Sequence, residues 1–136
     1  REEEPLRYLA VESPYLTSSK AYTLAGTRDS GAVAAVFALM LHLGREGYRD
    51  LVKTCMDNTY YLKGELEQIG LEPVMDPVMN VLAVWMDDPD GMQSELSGKG
   101  YYVSRVEDPK ALRFVVMPHV TKEAIDSLIH QIEHLI

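Results

Sequence analysis

Ser30-Gly31-Ala32-Val33-Ala34-Ala35-Val36-Phe37-Ala38-Leu39-Met40-Leu41-His42-Leu43-Gly44-Arg45-Glu46-Gly47-Tyr48 is the stretch on which the reading of this 136-residue chain turns. From Ser30 to Leu43 almost every face of a helix would be apolar, with Asp29 or Ser30 as its N-cap. Such a helix has to be covered on all sides, and one small domain has little material to spare for that. Its apolar run, Ala32 to Leu41, is about half of what a bilayer-spanning helix requires, so the expectation is a buried helix. Gly44 ends it. A second helix follows from Glu46 to Ile69, because Tyr48, Leu51, Val52, Cys55, Met56, Thr59, Leu62, Leu66 and Ile69 recur three and four apart on one stripe. Gly70 is its C-cap, since glycine tolerates the left-handed conformation in which helices commonly stop.

Downstream, the period changes. Asn80 to Met86 is a short apolar run bounded by turn residues and reads as a buried strand. The Asp87 to Gly91 stretch reads as a loop, Met92 to Leu96 as a short helix, Tyr101 to Val106 and Ala111 to Met117 as strands, and Thr121 to Leu135 as a closing helix. Ile125, Leu128, Ile129, Ile132 and Leu135 form one stripe on that helix, suited to covering one face of a small sheet. Upstream, residues 3–16 read as a connector, and 15–28 as an extended piece that turns tightly at Gly26 into the helix. The pattern predicts an α+β fold, a long helix pair plus a small three-stranded sheet covered by helices.

Thirteen Lys and Arg against twenty-one Asp and Glu leave a net charge of −8, which argues against nucleic acid and anionic membranes as partners. One cysteine, Cys55, excludes an intrachain disulfide and fits a reducing, cytoplasmic setting; its place on the apolar stripe makes it a core residue. The chain opens Arg1-Glu2-Glu3-Glu4-Pro5 without an initiator Met, so it is read as a piece of a longer protein. No metal site is expected: His130 and His134 stand four apart on the closing helix, a spacing able to clamp a metal, but without an accompanying Glu motif they read as a solvated face.

Two stretches carry chemistry. Leu24-Ala25-Gly26-Thr27-Arg28-Asp29-Ser30-Gly31-Ala32 runs into Leu41-His42-Leu43-Gly44-Arg45-Glu46-Gly47-Tyr48, and Leu112-Arg113-Phe114-Val115-Val116-Met117 lies near the end. Their order and spacing resemble the group II pyridoxal-phosphate-dependent amino-acid decarboxylases. Ser13-Pro14-Tyr15-Leu16-Thr17 and Met117-Pro118-His119-Val120-Thr121 are most similar to the archaeal L-tyrosine/L-aspartate decarboxylase branch. The resemblance covers essentially the whole chain.

That resemblance implies the C-terminal portion of a fold-type-I enzyme. Residues 1–28 would end the large cofactor-binding domain, 29–70 would be a spanning helix pair and 71–136 the small C-terminal domain. The parent reaction would be L-tyrosine to tyramine, or L-aspartate to β-alanine, with loss of CO2. Thr27 and Gly26 would meet the phosphate of pyridoxal 5'-phosphate held in the neighbouring subunit of a homodimer, and a helix N-terminus suits that anion. Arg28 is expected to be structural. Arg113 would grip the α-carboxylate of the amino-acid substrate: a guanidinium in an apolar strand calls for an anion, and its planar fork matches a carboxylate. It is expected to face a cleft. The Schiff-base lysine belongs upstream, in a missing N-terminal portion, because Lys20, Lys53, Lys63, Lys99, Lys110 and Lys122 do not stand in the family's lysine motif. No catalytic residue is expected in this chain, which alone should be inactive. The rival reading is a non-catalytic α+β regulatory or dimerisation module, in which Arg113 has no special role.

Overall fold

The structure is a computed structural model that describes residues 10–12, 20–21 and 29–136. The chain divides into two compact units, Arg1–His42 and Leu43–Ile136. In the first, β1 (Val11–Glu12) pairs antiparallel with β2 (Lys20–Ala21). The long helix α1 (Ser30–Gln68) begins there, and Asp29 caps it by accepting a hydrogen bond from the Gly31 N–H at 2.9 Å. Residues 30–42 are exposed throughout, Phe37 by 62% of its surface, so the all-round apolar helix stands bare.

Gly44 interrupts α1 with φ 59 and ψ −171, a conformation open in practice to glycine alone, so the expected helix pair meets at this residue. Beyond it the expected stripe is buried at Cys55, Thr59, Leu62 and Leu66. The helix stops by hydrogen-bond geometry as well as by sequence. Gly70 takes φ +87, its N–H bonds to the Glu67 carbonyl, and the Leu71 N–H bonds back to the Leu66 carbonyl at 2.9 Å.

The second unit continues with β3 (Val81–Trp85), α2 (Pro89–Gly98), β4 (Ser104–Val106), β5 (Ala111–Val115) and α3 (Lys122–Glu133). The sheet is antiparallel in the order β3-β5-β4, with Ala83 opposite Arg113 and Ser104 opposite Arg113 on the other side. Residues 72–74 add to the free edge of β3, where Val74 N–H donates to the Ala83 carbonyl and Trp85 N–H to that of Glu72. Alternation sends Leu82, Val84, Leu112, Phe114 and Val116 to one face. There they meet Leu62 and Leu66 of α1, Met92 and Leu96 of α2, and Ile125, Ile129 and Ile132 of α3 in one core. Each of these fully buried aliphatic chains contributes about 1.5–3 kcal/mol by leaving water.

Two expected boundaries move. The helix expected at Met92 starts at Pro89, because Asp88 accepts from the Gly91 N–H at 2.9 Å and Pro89 stands at a position where a missing N–H costs nothing. The strand expected from Tyr101 starts at Ser104. Tyr101 N–H goes to the Leu96 carbonyl and the Val103 carbonyl accepts from Gln93 Nε2, so residues 101–103 close the end of α2 instead of joining the ladder.

Candidate functional site

One face of the sheet carries the core, and on the other Trp85, Arg113 and Val115 are exposed. On that open face β3 presents Val81, Ala83 and Trp85, β5 presents Arg113 and Val115, and β4 presents Ser104 and Val106. Trp85 and Val115 are 48% and 46% exposed. Arg113 sits on the central strand, flanked by the small side chains of Ala83 and Ser104, which leave space around the guanidinium.

Among the described residues, Arg113 takes part in no ion pair. Several other cations of this unit are engaged: Arg105 lies 2.7 Å from Asp90 and 2.8 Å from Glu107, Arg49 is 2.6 Å from Glu46, and Lys63 is 2.6 Å from Asp76. Arg113, expected within an apolar strand, lies on β5 with its side chain exposed. Leu112 and Phe114 of β5 face the core, and Arg113 between them occupies the alternate, solvent-exposed register.

Four of the described lysines have other employment. Lys53 donates to Asp57 at 2.7 Å and Lys63 to Asp76 at 2.6 Å, and these hydrogen bonds, reinforced by the carboxylate charge, push both ammonium groups up from their ordinary value. Lys99 Nζ binds Gln131 Oε1 and Lys122 Nζ lies 4.9 Å above the Tyr61 ring. An amine that forms a covalent bond to a carbonyl cofactor must shed its proton, and a raised pKa opposes that. Gly26, Thr27 and Arg28, the residues expected near a cofactor phosphate, lie outside the described residues.

Cys55 is 6% exposed, a core residue at the floor of an apolar hollow of about 350 Å³ lined also by Leu51, Met56, Met79 and Met117. His130 and His134 are exposed, and no group of three or more His, Cys, Asp or Glu able to hold a metal exists among the described residues. No described helix is long and apolar enough to cross a membrane. Ser104 and Trp85 were assigned to strands by pattern, but their place beside Arg113 depends on cross-strand register, which one-dimensional alternation does not contain.

No family model matches the chain. It is 45% identical over 136 residues, 100% of the chain and 36% of the relative, to a probable L-tyrosine/L-aspartate decarboxylase of Methanothrix thermoacetophila. It is 46% identical over 129 residues, 95% of the chain and 35% of the relative, to a probable L-aspartate decarboxylase of Archaeoglobus fulgidus. The chain thus spans about a third of the length of the curated relatives it matches. Among solved structures it is similar to a sphingosine-1-phosphate lyase of Burkholderia pseudomallei, at TM-score 0.75 and 20% identity over 98% of this chain and 32% of that one. A serine palmitoyltransferase of S. paucimobilis with bound PLP and myriocin matches at TM-score 0.70 and 18% identity, over 83% of this chain and 30% of that one. At these identities the structural likeness speaks for the fold, that of fold-type-I pyridoxal-phosphate enzymes. Along its full length this chain is thus similar to archaeal L-tyrosine/L-aspartate decarboxylases, of whose length it spans about a third, and it shares the fold of fold-type-I pyridoxal-phosphate enzymes.

Proposed function

We propose that this chain is the C-terminal portion of a pyridoxal-phosphate-dependent decarboxylase that converts L-tyrosine to tyramine, L-aspartate to β-alanine, or both. The observation that carries the proposal is Arg113: a guanidinium without an ion-pair partner among the described residues, mounted on the central strand of an otherwise apolar open face. A planar carboxylate satisfies it with two parallel hydrogen bonds, and a second wall laid over the sheet makes that contact dry and strong. The missing N-terminal portion is that wall, with 1–28 its last stretch, 29–70 the spanning helices and 71–136 the small domain.

Pyridoxal 5'-phosphate, when bound, supplies the sink for the electron pair that the departing CO2 leaves behind. The residues of this chain supply binding and aim. Arg113 holds the α-carboxylate so that the bond to be broken keeps one orientation, which removes rotational freedom before the reaction begins. Thr27 offers a hydroxyl and Gly26 a close backbone approach to the cofactor phosphate at the entry to α1, across a homodimer boundary. The bare helix face of 30–42 is what such a boundary would cover. A cytoplasmic enzyme fits the lone, buried cysteine.

The test is Arg113→Lys in the full-length enzyme. It keeps the charge and removes the fork, and kcat/KM for the amino acid should fall by roughly 10- to 100-fold, the worth of one charged hydrogen bond. Wild-type turnover from Arg113→Lys, with cofactor absorbance intact, would falsify the assignment of the carboxylate to this residue.

A further inference from the structure

His130 and His134 lie one turn apart at the end of α3, both exposed. The sequence reading leaves them as solvated surface, yet the structure brings their Nε2 atoms to 3.2 Å, with ring centres 4.3 Å apart and planes at 72°. Neither forms an ion pair among the described residues. At this separation the Nε2–H of one ring donates to the Nε2 lone pair of the other, so both ring nitrogens already point at one shared position.

We infer that the pair is a bidentate site for a divalent transition-metal cation, with Zn2+ as its representative. Imidazole nitrogen sits at about 2.0–2.1 Å from zinc, and two nitrogens 3.2 Å apart then subtend roughly 100–106° at the metal, close to tetrahedral. The rings need to swing slightly outward for both lone pairs to meet one ion, and the broad torsional well of histidine allows this on an exposed helix face. The site lies in the last turn of α3, where free carbonyls concentrate negative charge and favour a cation. Lys99 is drawn aside by Gln131 Oε1 at 3.0 Å, while Glu133 adds an exposed carboxylate between the two histidines in sequence. No third His, Cys, Asp or Glu joins them among the described residues, so water completes the coordination and the metal exchanges. Two imidazoles select Zn2+, Ni2+ or Cu2+ over Mg2+ and Ca2+, which prefer oxygen.

The experiment is calorimetric titration of the full-length protein with ZnCl2 and, separately, MgCl2, for wild type, His130→Asn and His134→Asn. Wild type should bind one more Zn2+ per chain than either variant, or bind it more than about tenfold tighter, since even changes outside the ligand shell cost about that much in metal sites. Mg2+ should give no difference. Both histidines are exposed, so all three proteins should melt together without metal, and Zn2+ should raise the midpoint of wild type alone. Should either Asn variant fold poorly, His134→Gln, which keeps a long polar side chain at the helix end, has to show the same loss. Zn2+ uptake equal in stoichiometry and affinity across wild type and variants, or no uptake by wild type, overturns the site.

Discussion

Glu123 shows how one surface residue ties stability to acidity. It lies in the first turn of α3, behind the Thr121 cap whose hydroxyl accepts from the Ala124 N–H at 3.3 Å. Hydrogen bonds from its own backbone N–H and from the Thr121 hydroxyl hold its carboxyl below the ordinary carboxylate value. A depressed folded pKa means that the contribution is complete above the unfolded value and disappears as the pH falls through the folded one. Glu123→Gln should therefore lower the thermal midpoint of the full-length protein at neutral pH, and the gap to wild type should close in acid below the carboxylate range. A gap that persists there would assign the effect to packing instead of charge. Tyr61 carries the opposite sign: its hydroxyl donates to Asp126 at 2.6 Å, and that bond, helped by desolvation, pushes the phenol up to about 12.

At the scale of elements, the end of α1 rests on a single backbone conformation. A Cβ at position 70 would meet no atom within 4 Å, so Gly70→Ala tests backbone strain free of any clash. The variant should lose about 1–2 kcal/mol in denaturant unfolding, the cost of a left-handed conformation for an L side chain. The same glycine was legible as a cap from its place after the last apolar repeat, and the stripes of α1 and α3 were legible from spacing. The Asp88-Pro89 start of α2 was equally present as a cap followed by a helix-compatible proline, but the surrounding Asp and Gly residues masked it as loop. Residues 101–103 could not be read correctly, since Gln93 and Leu96 hold them through contacts the strand pattern does not encode. Arg113 was visible as a cation in an apolar run, yet which face it occupies depends on where the helices pack, and Ser104 at its side depends on register.

For the molecule as a whole, the balance of covered and bare surface matters most. The core of 43–136 closes on itself, while Val33, Val36, Phe37 and Leu41 in α1 and Trp85 and Val115 on the sheet stay exposed. A monomer rarely keeps so much apolar surface in contact with water. The 136-residue chain on its own should associate and bind a hydrophobic dye, and co-expression with the N-terminal portion proposed above should suppress both; a monodisperse, dye-silent chain would contradict the docking proposed for these faces. With Lys53 and Lys63 each bound to a carboxylate and Lys99 to Gln131, the chain alone mixed with pyridoxal phosphate and borohydride should yield no adduct at these three lysines by peptide mass mapping.

The strand order has a further consequence. With β5 in the centre, the peptide units on either side of Arg113 are tied to β3 and β4 at once. The amide protons of this strand should be among the last to exchange with deuterated solvent, while the guanidinium a few bonds away is exposed and in no ion pair among the described residues. A grip built in this way has a stiff wrist and loose fingers: only the side-chain torsions are left to freeze when an anion arrives, so the entropic toll of capture is confined to one residue.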